Sequence, residues 1–334
     1  MSLGPALVDH CGGRLGAIEW FRASWQRGRS ATGFSTWDLG DGQRIGVIVK
    51  FPVGPCEHRW TTALGSLPLD RWHTDESLGS PTPRLVASGV ELGGYDLAWL
   101  VTERLQGPTL SSGLSADGLM DLLNAATDFQ TAALRAVPVD GRPARAAWEK
   151  AVEHARRVAK AGGIHDDQKW NEVLKKVQKA LPTLVSRWES RPINAWCHGD
   201  LHPGNALRRG RNGAANGSGG GGGANGSSGG GGGCVLIDLA LVHPGHWMED
   251  ALYLERQFWG HESMLHGVKP LSAVAKLRRE RGLPVDEHYP ELANVRRVLT
   301  AACAPALIER EGSPKYLHAA LEVIERLLPQ TLKA

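Results

Sequence analysis

Asp200 and Asn205 stand five residues apart in Ala195-Trp-Cys-His-Gly-Asp-Leu-His-Pro-Gly-Asn205, on either side of a Pro-Gly pair that forces a loop. A second carboxylate, Asp238, closes the short apolar run Cys234-Val-Leu-Ile-Asp238. An acid, an amide and a second acid in this order suit phosphoryl transfer from a nucleotide. One carboxylate accepts the proton of an attacking hydroxyl, while the amide oxygen and the other carboxylate hold magnesium against the phosphates. Hard cations want oxygen ligands, and Asn plus Asp supply them without the crowded charge of three carboxylates.

Such side chains need elements to aim them. The run ending at Asp238 reads as a strand. The tract 213–233 before it is dominated by glycine and carries no charge. It cannot bury enough apolar surface to offset its ordering entropy, so it reads as a flexible surface insertion. A phosphate cradle would need a few glycines at fixed spacing between a strand and a helix. With the tract left out, Asn205 and Asp238 stand at hairpin distance, which predicts one hairpin carrying both and the insertion at its tip.

Upstream, Thr36–Leu39 and Ile45–Phe51 flank Gly-Asp-Gly and predict a hairpin with a corner at Asp41-Gly42; Arg84–Ser88 and Leu97–Glu103 add two strands. Past residue 110 the apolar period becomes helical. Leu119, Leu122, Leu123, Ala126, Phe129 and Ala133 share one face behind a Ser115 cap. Further stripes run Trp170–Trp188, with Pro182 as a kink or break, then Leu292–Leu299 and Leu317–Leu328. A β-rich part therefore precedes a larger helical part, with the boundary at Gly107-Pro108.

His198-Gly-Asp200-Leu-His-Pro-Gly-Asn205 resembles the H-G-D-x-x-x-x-N catalytic loop of the aminoglycoside phosphotransferase family, and Ile237-Asp238-Leu239 resembles its magnesium segment. The resemblance implies an α+β, protein-kinase-like two-lobed fold. A small β-rich N-lobe would span residues 1–107, and a larger, mainly α-helical C-lobe 108–334 would hold the catalytic loop 198–205 and the magnesium segment 235–239. It also implies ATP and Mg2+, with Asp200 as catalytic base and Asn205 and Asp238 as magnesium ligands. The acceptor would be a hydroxyl of a small molecule, an amino sugar or amino alcohol being candidates. The alternative is a catalytically idle kinase-like nucleotide-binding module, against which the intact Lys50, Asp200, Asn205 and Asp238 argue. No long activation segment follows Asp238, which speaks against a protein substrate.

Other parts carry over in order. Lys50, closing Val47-Ile-Val-Lys50, matches the strand lysine that meets the α and β phosphates. Gly33 with Ser35 resembles the phosphate-covering turn, and Leu100–Gly107 the hinge, where backbone groups near Glu103 and Leu105 would bond the adenine. The partner of Lys50 is Glu57 or Glu76. Distance after the lysine favours Glu57, whereas Pro52, Pro55 and Pro68 weigh against a helix there.

Composition narrows the rest. A net charge of +3 over 334 residues implies no nucleic-acid or membrane partner. Five cysteines without a C-x-x-C pair argue against a disulfide framework and for a reducing compartment. The start lacks a basic region followed by an apolar run, and no stretch approaches ~18 apolar residues, so a cytoplasmic protein is expected, of unknown oligomeric state. Glu249, Asp250, Glu255 and Glu262 either form an acidic patch for a cationic acceptor or serve helix electrostatics, Asp250 being placed at a helix start.

Overall fold

The computed structural model describes residues 3–21, 30–40, 42–66, 80–141, 146–209, 233–307 and 313–333. The tract 213–232, Glu76 and the Asp41 corner lie outside these residues. In chain order the elements are α1 (Leu3–His10), β1 (Glu19–Phe21), β2 (Ala31–Gly40), β3 (Gln43–Phe51), α2 (Pro55–Gly65), β4 (Leu85–Gly89), β5 (Trp99–Glu103), α3 (Ala116–Ala136), α4 (Trp148–Ala161), α5 (Asp167–Glu189), β6 (Ala195–Cys197), β7 (Ala206–Arg208), β8 (Cys234–Leu236), β9 (His243–Gly245), α6 (Glu249–Gln257), α7 (Pro270–Glu280), α8 (Tyr289–Ala302) and α9 (Pro314–Thr331).

The chain divides into two compact units, one of residues 1–113, 124–138 and 202–242, the other of 114–123, 139–201 and 243–334. The division is thus not a single cut at 107/108: the second half of α3 and the 202–242 segment group with the sheet.

In the first unit the five-stranded sheet runs β1-β2-β3-β5-β4, and every pairing is antiparallel. Strand alternation decides its faces. Val47 and Val49 are fully buried against Leu7, Leu15, Leu92 and Trp99, so α1 covers that face. Burying each such valine stabilises by about 2 kcal/mol. Lys50, one residue on from Val49, is turned away from that core by the same alternation.

The second unit is helical apart from the antiparallel pair β6–β9. On α5, Trp170, Leu174, Val177, Leu184 and Trp188 are buried, and the helix packs against α4, α8 and α9. It continues through Pro182 to Glu189, so the proline does not break it. Ser115 caps α3 as its sequence predicts, its Oγ accepting the Gly118 amide at 3.1 Å. The many tryptophans also find a use: Trp60, Trp99, Trp170, Trp188 and Trp247 are among the largest fully buried side chains and fill the cores. Among the described residues no helix is long and apolar enough to cross a membrane.

Candidate active site

Lys50 leaves β3 toward α2, and its Nζ donates to Glu57 Oε1 at 2.6 Å. Asp238 Oδ1 lies 3.9 Å from the same nitrogen. The choice between two glutamates is thereby resolved for the described residues. Pro55 opens α2 rather than preventing it, because its missing N–H falls in the first turn, where no intrahelical acceptor exists. Burial pushes the Glu57 carboxyl above its ordinary range, while Lys50 opposes that shift.

Asn205 and Asp238 flank one hairpin. β7 pairs with β8 in the register Ala206↔Leu236, and the Ile237 amide donates to the Asn205 carbonyl at 3.0 Å. Asn205 ends a single helical turn, Pro203–Asn205, that His202 caps by accepting the Gly204 amide. Asp238 takes a left-handed conformation with φ 62°, uncommon for a non-glycine residue, and its carboxylate is 44% exposed. The turn after it is tied to α2: the Cys56 thiol faces the carbonyls of Leu239 and Val242 at 3.5 and 3.3 Å. One helix thus holds the Lys50 partner and steadies the Asp238 segment. The Asp238 carboxylate beside a fixed ammonium, on a hairpin whose other strand follows Asn205, offers hard oxygen donors of the kind that magnesium and phosphates take.

Two expectations need correction. Gly33 and Ser35 do not form a turn over phosphates, because both are buried inside β2. Gly33 is small because β1 crosses it: a Cβ there would meet Ile18 at 2.5 Å and Trp20 at 3.0 Å. The Ser35 hydroxyl is spent on the Gly16 carbonyl at 2.9 Å. Glu103 is the second case. Its amide is already donated to the Arg84 carbonyl, and its buried carboxylate binds both Arg84 and Arg209. Arg209 also donates to the carbonyls of Ser80 and Thr82. Glu103 therefore braces the end of β5, and its N–H is not among the backbone groups left to bond a base. Leu105, two residues on, has no backbone hydrogen-bond partner among the described residues and keeps the hinge role open.

In the helical unit, β6 is fully buried and leads into the loop that starts at His198. The amides of His198 and Gly199 both donate to Asp250, at 2.8 and 2.9 Å. Gly199 needs φ +83°, which glycine adopts without penalty. The Tyr253 hydroxyl donates to Asp200 Oδ1 at 2.6 Å, and Gln257 donates to the Leu201 carbonyl at 3.0 Å. Asp250, Tyr253 and Gln257 recur at i, i+3 and i+7, so a single face of α6 grips the loop. Sequence reasoning missed Tyr253 and Gln257, although that spacing was there to be read.

Asp250 also corrects the acidic-patch expectation. It is 3% exposed and serves loop amides rather than a solvated helix face. Glu249 pairs with Arg191 and accepts the His246 amide. Burial alone would raise its carboxyl, but His243, Arg296, Arg191 and the His246 amide together pull it down to about 2. Glu255 pairs with Arg297, and Glu262 accepts the Gly260 amide. All four carboxylates are spoken for.

A strand lysine paired with a helix glutamate, a hairpin ending in an amide and a carboxylate, and a braced Asp-bearing loop describe a phosphotransferase on a kinase-like α+β fold. The chain belongs to the phosphotransferase enzyme family APH, whose model matches residues 24–217. Similar solved structures include the aminoglycoside phosphotransferase of Alicyclobacillus acidocaldarius subsp. acidocaldarius DSM 446, at 15% identity and TM-score 0.55, covering 94% of this chain and 91% of that one. Another, from Ralstonia eutropha JMP134 and provisionally assigned as an aminoglycoside phosphotransferase, has 14% identity and TM-score 0.53, covering 99% and 98%. At such identities the likeness is one of fold. Among curated proteins, none matches.

Proposed function

We propose that this phosphotransferase moves the γ-phosphate of ATP to a hydroxyl of a small molecule, with magnesium as cofactor. The observation that carries the reading is Lys50, fixed at 2.6 Å from Glu57 and 3.9 Å from Asp238. A pinned ammonium beside a half-exposed carboxylate is what a magnesium–triphosphate unit requires. Asp238 and Asn205 would hold the cation, whose charge when bound would offset that of the phosphates. Lys50 orients the α and β phosphates, and the Leu105 backbone meets the adenine. Asp200, its carboxylate aimed by Tyr253, receives the proton of the acceptor hydroxyl. The hydroxyl oxygen bonds the γ-phosphorus, the bond from that phosphorus to the βγ-bridging oxygen breaks, and ADP leaves with the electron pair.

Asp200→Asn tests this. Turnover is expected to fall by about 10²-fold or more, as loss of a general base and its positioning implies, with ATP affinity by calorimetry unchanged. Undiminished transfer in the variant overturns the assignment. The two solved relatives are named for aminoglycosides, so amino sugars belong in the first acceptor screen beside amino alcohols and neutral sugars.

A further inference from the structure

Apart from the candidate active site, the described residues hold one group of three side chains whose ligand atoms converge: His165, Asp166 and His318, all in the helical unit. His165 Nδ1 lies 2.9 Å from Asp166 Oδ2, and His318 Nδ1 lies 3.5 Å from the same oxygen. One ligand atom from each side chain falls within 4.8 Å of the other two. A four-coordinate zinc ion with bonds of about 2.0–2.1 Å sets its ligand atoms about 3.4 Å apart. Both imidazoles are more than half exposed, so small side-chain rotations close the remaining distance.

The backbone beneath these side chains is fixed. His165 and Asp166 lie on the turn before α5, between the buried Ile164 and Trp170, and the Trp170 amide donates to the Asp166 carbonyl at 2.9 Å. Asp166 is left-handed with φ 60°, a conformation that Asp tolerates better than most residues. His318 stands on α9, whose Leu317 and Leu321 are buried. Its imidazole has a carboxylate on each side: Asp166 at Nδ1 and, one helical turn on, Glu322 Oε1 at 3.4 Å from Nε2. A neutral imidazole has one N–H and one lone pair. Either tautomer therefore leaves a lone pair facing a carboxylate oxygen with no proton between them. A cation on the Asp166 side removes that conflict. Nε2–H then points at Glu322, and the Nδ1 lone pair joins Asp166 on the metal. A carboxylate behind a ligating histidine fixes its tautomer and raises its basicity. A second proton on the ring would also remove the conflict, so the two cases differ in whether zinc is taken up.

We infer that His165, Asp166 and His318 bind a divalent cation of the zinc class, which staples the start of α5 to α9. Imidazole donors favour zinc and its transition-metal neighbours over magnesium and calcium, which want oxygen. Water completes the coordination from a depression of about 430 Å3 whose wall includes His165, His318 and Glu322. The staple joins residues 152 apart in the chain, and closing so long a loop constrains the unfolded chain strongly. Three residues on from Asp166 and from Glu322, Lys169 lies 2.9 Å from Glu325; that second tie is exposed and contributes little by itself. The zinc site shares no residue with the candidate active site and does not rest on the phosphotransfer reading.

Zinc chloride is titrated by calorimetry into the full chain, stripped of metal by a chelator and kept in excess magnesium. Cobalt, read by its visible absorption, reports the ligand geometry, and thermal melts with and without zinc report the staple. One zinc per chain is expected, with a rise in melting temperature. Glu322→Gln, which changes only the group behind His318, should weaken zinc about tenfold. His318→Ala and Asp166→Asn each remove a donor itself and should weaken it about 100-fold or more, with the zinc-dependent rise in melting temperature lost. Asparagine also accepts the left-handed backbone, and Glu322→Gln is a surface change, so the test survives a misfolded His318→Ala. No zinc uptake in excess magnesium, or uptake that His318→Ala and Asp166→Asn leave unchanged, overturns the inference. Zinc uptake by a chain that transfers no phosphate to any acceptor leaves it standing and removes the phosphotransfer reading; transfer without zinc uptake does the reverse.

Discussion

The phenolic hydroxyl of Tyr253 lies 2.6 Å from Oδ1 of Asp200 and donates to it. A carboxylate on a loop turns freely unless something holds it, and this contact restrains Oδ1 in the orientation that the proposed proton transfer would use. Tyr253→Phe removes the hold and little else. Turnover should fall about tenfold, the scale of one hydrogen bond to a charged group, with the KM for ATP unmoved. Steady-state kinetics with ATP varied at saturating acceptor separates the two; a changed ATP KM with constant turnover contradicts the role.

Asp250 satisfies two amides that no other described group takes over. Asp250→Ala removes the acceptor of both, in the fully buried His198 and the partly buried Gly199, which should destabilise the fold by about 3 kcal/mol. Asp250→Asn should recover part of this, since its one carbonyl oxygen replaces one of two acceptors. Urea unfolding of both variants ranks them, and equal midpoints for alanine and wild type dispose of the brace.

Glu57 is held in a setting that disfavours its charge, so its neutral analogue should fold well. Glu57→Gln is expected to leave the melting temperature within a few degrees of wild type while weakening ATP binding about tenfold, because Lys50 loses its charged anchor. Calorimetric titration of ATP provides the check. A variant that melts early but binds normally reverses the assignment.

Glu249 makes acid stability measurable. Its carboxyl is depressed in the folded chain to about 2 from an ordinary 4.5. A depressed carboxyl contributes stability that is fully present above the unfolded value and is lost as pH falls from there through the folded value. The contribution, up to about 3 kcal/mol, should therefore vanish between pH 4.5 and 2. Glu249→Gln should flatten that part of the stability-versus-pH curve. A slope identical to wild type in this window shows that other carboxylates cause it.

Glu103→Gln strips the charge from between Arg84 and Arg209 and leaves two buried guanidiniums facing each other. Breaking a buried pair in this manner costs about 3–5 kcal/mol. Thermal melts should show a loss of that size, whereas Leu105→Ala, two residues along, should melt near wild type.

The parts that sequence revealed are those with local rules. The apolar run Ile45–Phe51 beside its Gly-Asp-Gly turn located β3 and so Lys50, and period 3.6 located α3, α5, α8 and α9. The loop signature from His198 to Asn205 stood out because Pro and Gly punctuate it. What escaped depends on contacts far apart in the chain. Gly33 and Ser35 looked like turn residues, yet the close approach of β1 and the Gly16 carbonyl account for them. The demand on Glu103 comes from Arg209, and that on Asp250 from His198 and Gly199. Nothing in the neighbouring residues announces such partners.

Arg209 closes the β7–β8 hairpin: its amide donates to the Gly233 carbonyl at 2.9 Å while its guanidinium is locked to Glu103. The two strands are thus clamped on the far side from Asn205 and Asp238, and the clamp does not depend on how many residues link its ends. Doubling that linkage adds only about 0.6 kcal/mol of closure entropy. Evolution can therefore lengthen or trim the chain between Arg209 and Gly233 with the Asn205 and Asp238 ends left alone, and an engineer can do likewise. A fluorescent protein or an affinity handle spliced in there would be joined to the hairpin at its clamped end.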